Sequence, residues 1–490
     1  MNESPLSVLH PTQVWSHFAT LCAIPRPSYH EHALKQHLAA WADAHGIAHF
    51  EDAVGNLILQ KPASPGCESA PGVILQGHLD MVCQANAGTV HDFERDPIQI
   101  VVRDGWVIAE NTTLGADNGI GVALALAALE AEGLEHPALE VLLTINEESG
   151  MDGARGLAPG TLQGQYLLNL DTEEWGHFYL GCAGGVDVEV RHISEMEALP
   201  PDYAVLRFDV SGLRGGHSGI DIHLGRGNAI KLLAEALRDL AAHTDVRLIE
   251  MQGGSARNAI PREAFAICAV PLAAVSGIDE WAEHRLTSWQ HRFSDVDAGI
   301  AFGYELDEMP VGQAVSATER DHLLGFLDNV VNGVSRISDD FAGVTDTSSN
   351  LGIFKLSQGE SKVTFKVRSL LDARADVLAD KLVSFAAGYG LRAYKDGTYP
   401  GWTPNPASPL LALCQQVYEA QFGAPASLQV IHAGLECGLL AASHPHLDMI
   451  SFGPDIRGAH APGEKVEIAS VEYCWTLLQA VLRALAKPVA

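Results

Sequence analysis

The sequence predicts an α/β domain interrupted by an inserted α+β domain. Three observations carry that reading. The chain has 490 residues, more than one hydrophobic core usually serves. Apolar strand-like runs that end in acidic residues alternate with helical patterns. After about Val186 the texture changes to a β-α-β-β-α-β order that then repeats. The composition, 47% hydrophobic and 19% charged with 47 Gly and 24 Pro dispersed along the chain, is that of a folded protein.

The elements follow in order. Helical periodicity runs from Pro11 to Ala44, and then the β-rich runs NLILQK, GVILQGHLDM and IQIVVRDGWVIAE alternate with turn residues. NGIGVALALAALEAEG reads as a helix, and LEVLLTINEE and YLLNLDTEE each read as a buried strand followed by carboxylates. Open α/β sheets place their ligand crevice just past the carboxyl ends of such strands. The inserted domain is expected at 187–398, between flanking segments 1–186 and 399–490. Its first half is YAVLRFDVSGL, a helix over Arg226 to Ala242, DVRLIEM, EAFAICAVPL, a helix near Ile278 to Phe293, and GIAFGYEL. The second half has a helix near Ser316 to Val331, SNLGIFKLSQ, SKVTFKVRSL, a helix over Ala375 to Tyr389, and LRAYKDG, but no clear first strand. The chain then turns at TYPGWTPNP, forms a helix around Leu410 to Gln421, and passes through LDMISFGPDIRGAHAPGEKV to a terminal helix.

Charge and composition exclude several functions. The formal charge of −30 would repel a polyphosphate backbone or an anionic bilayer, so neither nucleic acid nor membrane is an expected partner. The opening MNESPLSVLHPTQVW lacks the basic head and apolar run of a secretory signal. The most apolar stretch meets a glutamate after about a dozen residues, short of the roughly 18 to 20 that span a bilayer. Eight cysteines without a C-x-x-C suggest neither a disulfide framework nor a thiolate zinc site, and the cytoplasm is the expected compartment. GRGN lacks the preceding strand and later acidic partner of a dinucleotide site.

Chemistry-bearing residues recur at the strand ends. His78 and Asp80 in GHLD share one side of a strand end, where an imidazole can bind a metal while the carboxylate fixes its tautomer. Asp117 in TTLGADNGIG, the pair Glu147 and Glu148 after VLLTIN, Asp171 after YLLNL and His460 in GAHAPGE complete the set. Adjacent glutamates at a strand end face different sides, so one can hold a metal while the other faces a water. Two histidines, two aspartates and a glutamate supply three ligands to each of two divalent ions if one aspartate is shared. Oxygen and imidazole donors suit zinc, manganese or cobalt.

The blocks HLDMV, TTLGADNGIG, NEESGMDGA, NLDTEEWG and GAHAPGE, in that order, resemble the metal-binding blocks of the co-catalytic zinc peptidases, a family that includes aminoacylases, glutamate carboxypeptidases and bacterial di- and tripeptidases. SGLRGGHSGIDIH, ARNAIPREA and IHAGLECG, with the whole-chain length, are most similar to a bacterial dipeptidase branch of that family. The resemblance implies a mixed-sheet zinc-peptidase catalytic domain with an inserted α+β lid of two β-α-β-β-α-β-like halves. His78 and Asp171 would hold one ion, Glu148 and His460 the other, and Asp117 would bridge them. Asp80 would orient His78, and Glu147 would be the general base for a metal-bridging water. His217 in RGGHSG would stabilise the oxyanion with Asn258 in NAIP, and Arg368 in FKVRS would clamp the substrate carboxylate. The alternatives are an ordinary loop histidine for His217 and a surface salt bridge for Arg368. Glu436, on the glycine-rich IHAGLECG segment, is a candidate to meet a free amino terminus, the alternative being a solvated loop carboxylate. The implied activity is hydrolysis of small unblocked dipeptides, Xaa-His included, by a homodimer. An N-acyl amino acid deacylase, a tripeptidase and a non-catalytic metal-binding scaffold are the competing readings.

Overall fold

Eight strands form the sheet of the first unit in the computed structural model, which describes residues 4–307 and 312–487. This unit comprises the described residues of Met1–Gly181, Trp402–Val430 and Leu435–Ala490. Across the sheet the strands run Ala48–Glu51, Leu57–Lys61, Leu139–Thr144, Val73–His78, Tyr166–Asn169, Asp448–Ser451, His177–Cys182 and Ser427–Ile431. The third to sixth are mutually parallel, and antiparallel pairs flank them. The sheet is therefore mixed, as expected. Every residue of Val73–His78 and Leu139–Thr144 is buried, the pattern of parallel strands covered on both faces. In register, His78 lies opposite Thr144, Gln76 opposite Asn169, and Asn169 opposite Ser451, so the parallel strands end together along one edge.

The helix Ala116–Glu130 is apolar on all sides because it is enclosed on all sides. The expected helical run from Pro11 to Ala44 is two helices, Thr12–Ala23 and His32–Ala44. The intervening IPRPSYHE contains two prolines, which lack the amide a helix interior needs. No disulfide joins any of the eight cysteines among the described residues, and no helix among them is long and apolar enough to cross a membrane.

The second unit comprises the described residues of Cys182–Gly401, together with Ile431–Gly434. The expected insertion 187–398 falls inside it, the expected segment 1–186 contributes 182–186, and the expected segment 399–490 contributes 399–401 and Ile431–Gly434. Residues 308–311 of that insertion, and residues 1–3 and 488–490 of the flanking segments, lie outside the described residues. The unit is built on a nine-stranded sheet whose pairings are all antiparallel. Tyr203–Ser211, Arg247–Gly253, Ala264–Pro271 and Ala301–Leu306 are the four strands of the first half, in spatial order fourth, first, third, second.

The strand missing from the second half is Gly184–Ile193, which precedes the whole first half in the chain. With Thr345–Ser357, Glu360–Ser369 and Arg392–Tyr399 it forms the mirror order second, third, first, fourth. The two halves meet where Arg247–Gly253 pairs with Thr345–Ser357. One half is thus inserted inside the other, which hides the repeat from a linear reading. The helices Ala229–His243, Ile278–Arg292, Ala317–Asn329 and Asp372–Gly388 supply the rest of a core that includes Trp289, Phe326 and Phe365.

Asn228, the last residue of GRGN, caps the helix Ala229–His243: its side-chain oxygen accepts from the amides of Ile230 and Lys231, and its amide donates to the Leu351 carbonyl at 2.8 Å. Asn228→Ala is expected to cost about 1 to 2 kcal/mol by denaturant titration, whereas unchanged stability would remove the cap from this account.

Candidate metal centre

The edge where the parallel strands end gathers the predicted acidic residues. His78 is the last residue of its strand, Asp171 follows Tyr166–Asn169, and His460 lies in a loop with a left-handed φ of 63°. Asp117 departs from helical geometry at the start of Ala116–Glu130. Glu147 and Glu148 differ from the expectation of a strand end. The strand stops at Thr144, Asn146 turns the chain with a φ of 54°, and the glutamates open a short helix, Glu147–Gly150. Helical rotation, rather than the strand pleat, sets their directions.

Asp117 is central. Its Oδ1 lies 3.1 Å from His78 Nε2 and its Oδ2 lies 3.1 Å from His460 Nε2. Asp171 Oδ1 is 3.5 Å from His78 Nε2, and Glu148 Oε1 is 3.1 Å from His460 Nε2. Three groups therefore offer ligand atoms within 4.8 Å of one another: His78 with Asp117 and Asp171, Asp117 with Glu148 and His460, and His78 with Glu147 and Glu148. The first two share Asp117.

The side chains explain the tautomer of His78. Its Nδ1 faces the Asp80 carbonyl at 3.1 Å and Asp80 Oδ1 at 3.4 Å, so Nδ1 keeps a proton and Nε2 is the nitrogen left facing Asp117 and Asp171, available to a metal once it gives up its own proton. Asp80 does more than orient that ring. It accepts from the amides of Glu147 at 2.9 Å and Glu148 at 3.2 Å and from Ser28 Oγ at 2.7 Å, and so fixes the turn bearing both glutamates.

Electrostatics test whether these residues suit a cation. Three carboxylate pairs, Asp117 with Asp171, Asp117 with Glu148 and Glu147 with Glu148, each present oxygens within 4.8 Å. At an effective dielectric constant near 20, each pair repels by on the order of 3 to 4 kcal/mol when both members are ionised. Divalent cations relieve that repulsion. The protons show the same strain. Burial, with Asp171, Glu436 and Glu148 adding to it against the opposing His78, holds Glu147 well above the ordinary carboxylate range. Burial likewise pushes Asp171 up to about 6, against the pull of His78. Hydrogen bonds to Asp117 and Glu148 raise His460 to about 11. Burial opposes a charged His78, but the surrounding carboxylates still raise it well above the usual imidazole value. The donor set therefore fits two divalent ions that share a carboxylate.

Glu436 corrects its expected surroundings. It is not on a solvated loop: it opens the helix Glu436–Ser443 and is 1% exposed. Its Oε2 accepts from Gln76 Nε2 and Thr144 Oγ1, both at 2.7 Å, and its Oε1 is buried without a hydrogen-bond partner. Burial lifts its pKa to about 7, against the opposing His78. The network continues inward, because Gln76 also bonds Asn169, which bonds Ser451.

The other three predicted residues belong to the second unit. His217 lies in a two-residue ribbon, paired with Ala259 beside Asn258, rather than on a free loop. Its Nδ1 accepts from the amides of Gly219 at 3.2 Å and Ile220 at 3.1 Å, which leaves the proton on Nε2 as a donor. A side chain at Gly219 would meet the His432 carbonyl. Arg368 is buried and donates to Tyr399 Oη at 2.6 Å. No carboxylate among the described residues pairs with it, so the surface salt bridge is excluded. Burial, then Arg368, lowers His217 to about 4, and the same causes lower His432, which bonds Ser348 at 2.8 Å, to about 3. Asn258 is exposed, and its carbonyl accepts from the Ser218 amide at 2.8 Å.

The model of peptidase family M20/M25/M40 matches residues 74–484. The chain belongs to peptidase family M20/M25/M40. Across 481 residues, 98% of this M20 chain and 99% of the relative, it is 43% identical to the cytosol non-specific dipeptidase of Escherichia coli. The crystal structure of aminoacylhistidine dipeptidase from Vibrio alginolyticus superposes with a TM-score of 0.90 at 41% identity, covering 98% of both chains. Aminopeptidase PepT from Bacillus cereus, at 16% identity and a TM-score of 0.60 over 98% of this chain and 100% of that one, shares the fold.

The sequence reading missed Asn118, whose Oδ1 accepts from the His78 amide at 3.2 Å while its Nδ2 donates to the Leu170 carbonyl at 2.6 Å. Its adjacency to Asp117 was the available signal. Replacing Asp80 by Asn is expected to weaken metal affinity about 10- to 100-fold, measured by chelator competition, and wild-type affinity would contradict the role given to Asp80.

Proposed function

We propose that this M20 chain is a cytoplasmic two-metal dipeptidase that hydrolyses unblocked dipeptides, Xaa-His among them, as a homodimer. One observation carries the proposal: the two oxygens of Asp117 face two different imidazoles, each within a group of prospective metal ligands. The relatives named for dipeptidase activity at 43% and 41% identity over nearly the whole chain support the substrate class.

His78 and Asp171 would hold one ion and Glu148 and His460 the other, with Asp117 between them. Two such ions, zinc first by donor set and manganese or cobalt otherwise, would supply Lewis acidity toward a water and the peptide carbonyl when bound. Glu147, kept receptive to a proton by burial and its neighbouring carboxylates, takes the proton of the attacking water and returns it to the departing amine. No covalent acyl-enzyme is required. His217, with its proton on Nε2, and Arg368, with no carboxylate partner among the described residues, are suited to anionic atoms of the substrate, with Asn258 beside His217.

The unpartnered Glu436 Oε1 favours a dipeptidase over a deacylase. A buried carboxylate oxygen without a donor suits an ammonium, which an N-acyl substrate lacks. A non-catalytic scaffold would have no need of a correctly placed base beside a complete ligand set.

Two measurements test this reading. Glu147→Ala should keep its metal content while kcat for an Xaa-His dipeptide falls about 10²- to 10⁴-fold, and near-normal turnover would remove Glu147 from the mechanism. Glu436→Gln should lower kcat/KM for unblocked dipeptides about 10- to 100-fold and leave inhibition by an N-acetyl dipeptide unchanged. Equal losses for both compounds would show that Glu436 does not meet the amine.

A further inference from the structure

Glu464 closes the GAHAPGE block, four residues after His460, and it is 2% exposed. Among the described residues no cationic side chain forms an ion pair with it, although the Arg26 guanidinium lies near enough to feel its charge. Instead Oε2 accepts from the amides of Leu114 at 2.7 Å and Gly115 at 2.9 Å, and Oε1 accepts from Ala116 at 2.8 Å and Asp117 at 3.3 Å. One carboxylate thus takes four consecutive backbone donors, the last belonging to Asp117 itself. Hydrogen bonds from amides to an ionised acceptor are roughly twice as strong as neutral ones, so a loop gripped this way has little freedom to move.

The opposite side of the loop is held as well. Arg26, 1% exposed, donates Nη2 to the Gly115 carbonyl at 2.5 Å and Nη1 to the carbonyls of Leu79 at 2.8 Å and Asp80 at 3.0 Å. Gly115 has a φ of 70°, and a Cβ there would lie 2.5 Å from Arg26 Nη2, so this position needs glycine. The backbone repeats the coupling: the Gly463 amide donates to Ala109 and Thr112, and the Ala109 amide donates to Glu464.

We infer that Glu464, with Arg26 opposing it, is the positioning residue that sets the bridging geometry of Asp117 and joins it to the His460 loop. The two loops it fastens carry two of the three residues grouped as one prospective ion site, Asp117 and His460. A carboxylate that moved by an ångström would still serve one ion but would no longer serve two. Glu464 therefore governs occupancy of the pair more than the stability of the sheet. This inference rests on the metal assignment of Asp117 and His460 above.

The test is metal binding by the full chain after chelator treatment, read by zinc competition with a chromophoric chelator and by the visible spectrum of added cobalt. Wild type should take two equivalents; fewer would sink the two-ion reading itself. Given two in wild type, Glu464→Gln, which exchanges one acceptor oxygen for an amide donor, should bind the second equivalent at least tenfold more weakly, and added metal should restore activity. Glu464→Asp, which keeps the charge on a shorter arm, should fall between them. Wild-type affinity for both equivalents in either soluble variant overturns the inference alone. Hydrogen exchange of the wild-type protein supplies a check that needs no variant: the amides of 114–117 should be protected with and without metal. Protection only in the metal-loaded protein would mean that the ions, not Glu464, order the loop.

Discussion

Carboxylates placed within a few ångströms of one another on a buried sheet edge are stable only if something cancels their charge. Much of the first unit is arranged around that constraint. Asp117, Asp171 and the adjacent Glu147 and Glu148 come from three separate stretches of chain, and parallel strands in near-equal register help bring them to one edge. Repulsion of several kcal/mol per pair would otherwise work against the fold. The arrangement trades local stability for a cation site, and the rest of the sheet has to hold it in place.

That support comes from polar groups buried behind the edge. Asp80 fixes both the His78 ring and the turn carrying the glutamates. Asn118 ties the end of one strand to the segment after another. The chain of Ser451, Asn169, Gln76, Thr144 and Glu436 crosses the sheet beneath the site and ends in a carboxylate with one free oxygen. Buried networks of this kind are costly when incomplete, and Glu436 Oε1 is buried without a hydrogen-bond partner.

The residues that touch prospective ions were legible in the sequence because metal chemistry restricts them to a few side-chain types at strand ends. His78, Asp117, Glu148, Asp171 and His460 are such residues, and the structure brings them together. Those that act through backbone amides were not legible. Glu464 and Arg26 bond main-chain groups, which any sequence possesses, so no pairing of side-chain types betrays them. Glu436 looked like part of a glycine-rich loop because Gly434 precedes it, whereas it opens a helix. In the second unit, the strand Gly184–Ile193 was missed for a topological reason: its half of the sheet is interrupted by the other half. The helical run before Ala44 was overextended across Pro25 and Pro27, and the break between them carries Arg26.

A two-ion site of this kind depends on one shared carboxylate, Asp117. Crystals of the full chain grown with zinc, with diffraction recorded on both sides of the zinc absorption edge, examine it directly. Two anomalous peaks about 3.5 to 4 Å apart, each contacted by one oxygen of Asp117, are the predicted result. A single peak, or two peaks of which one lacks Asp117, would contradict it.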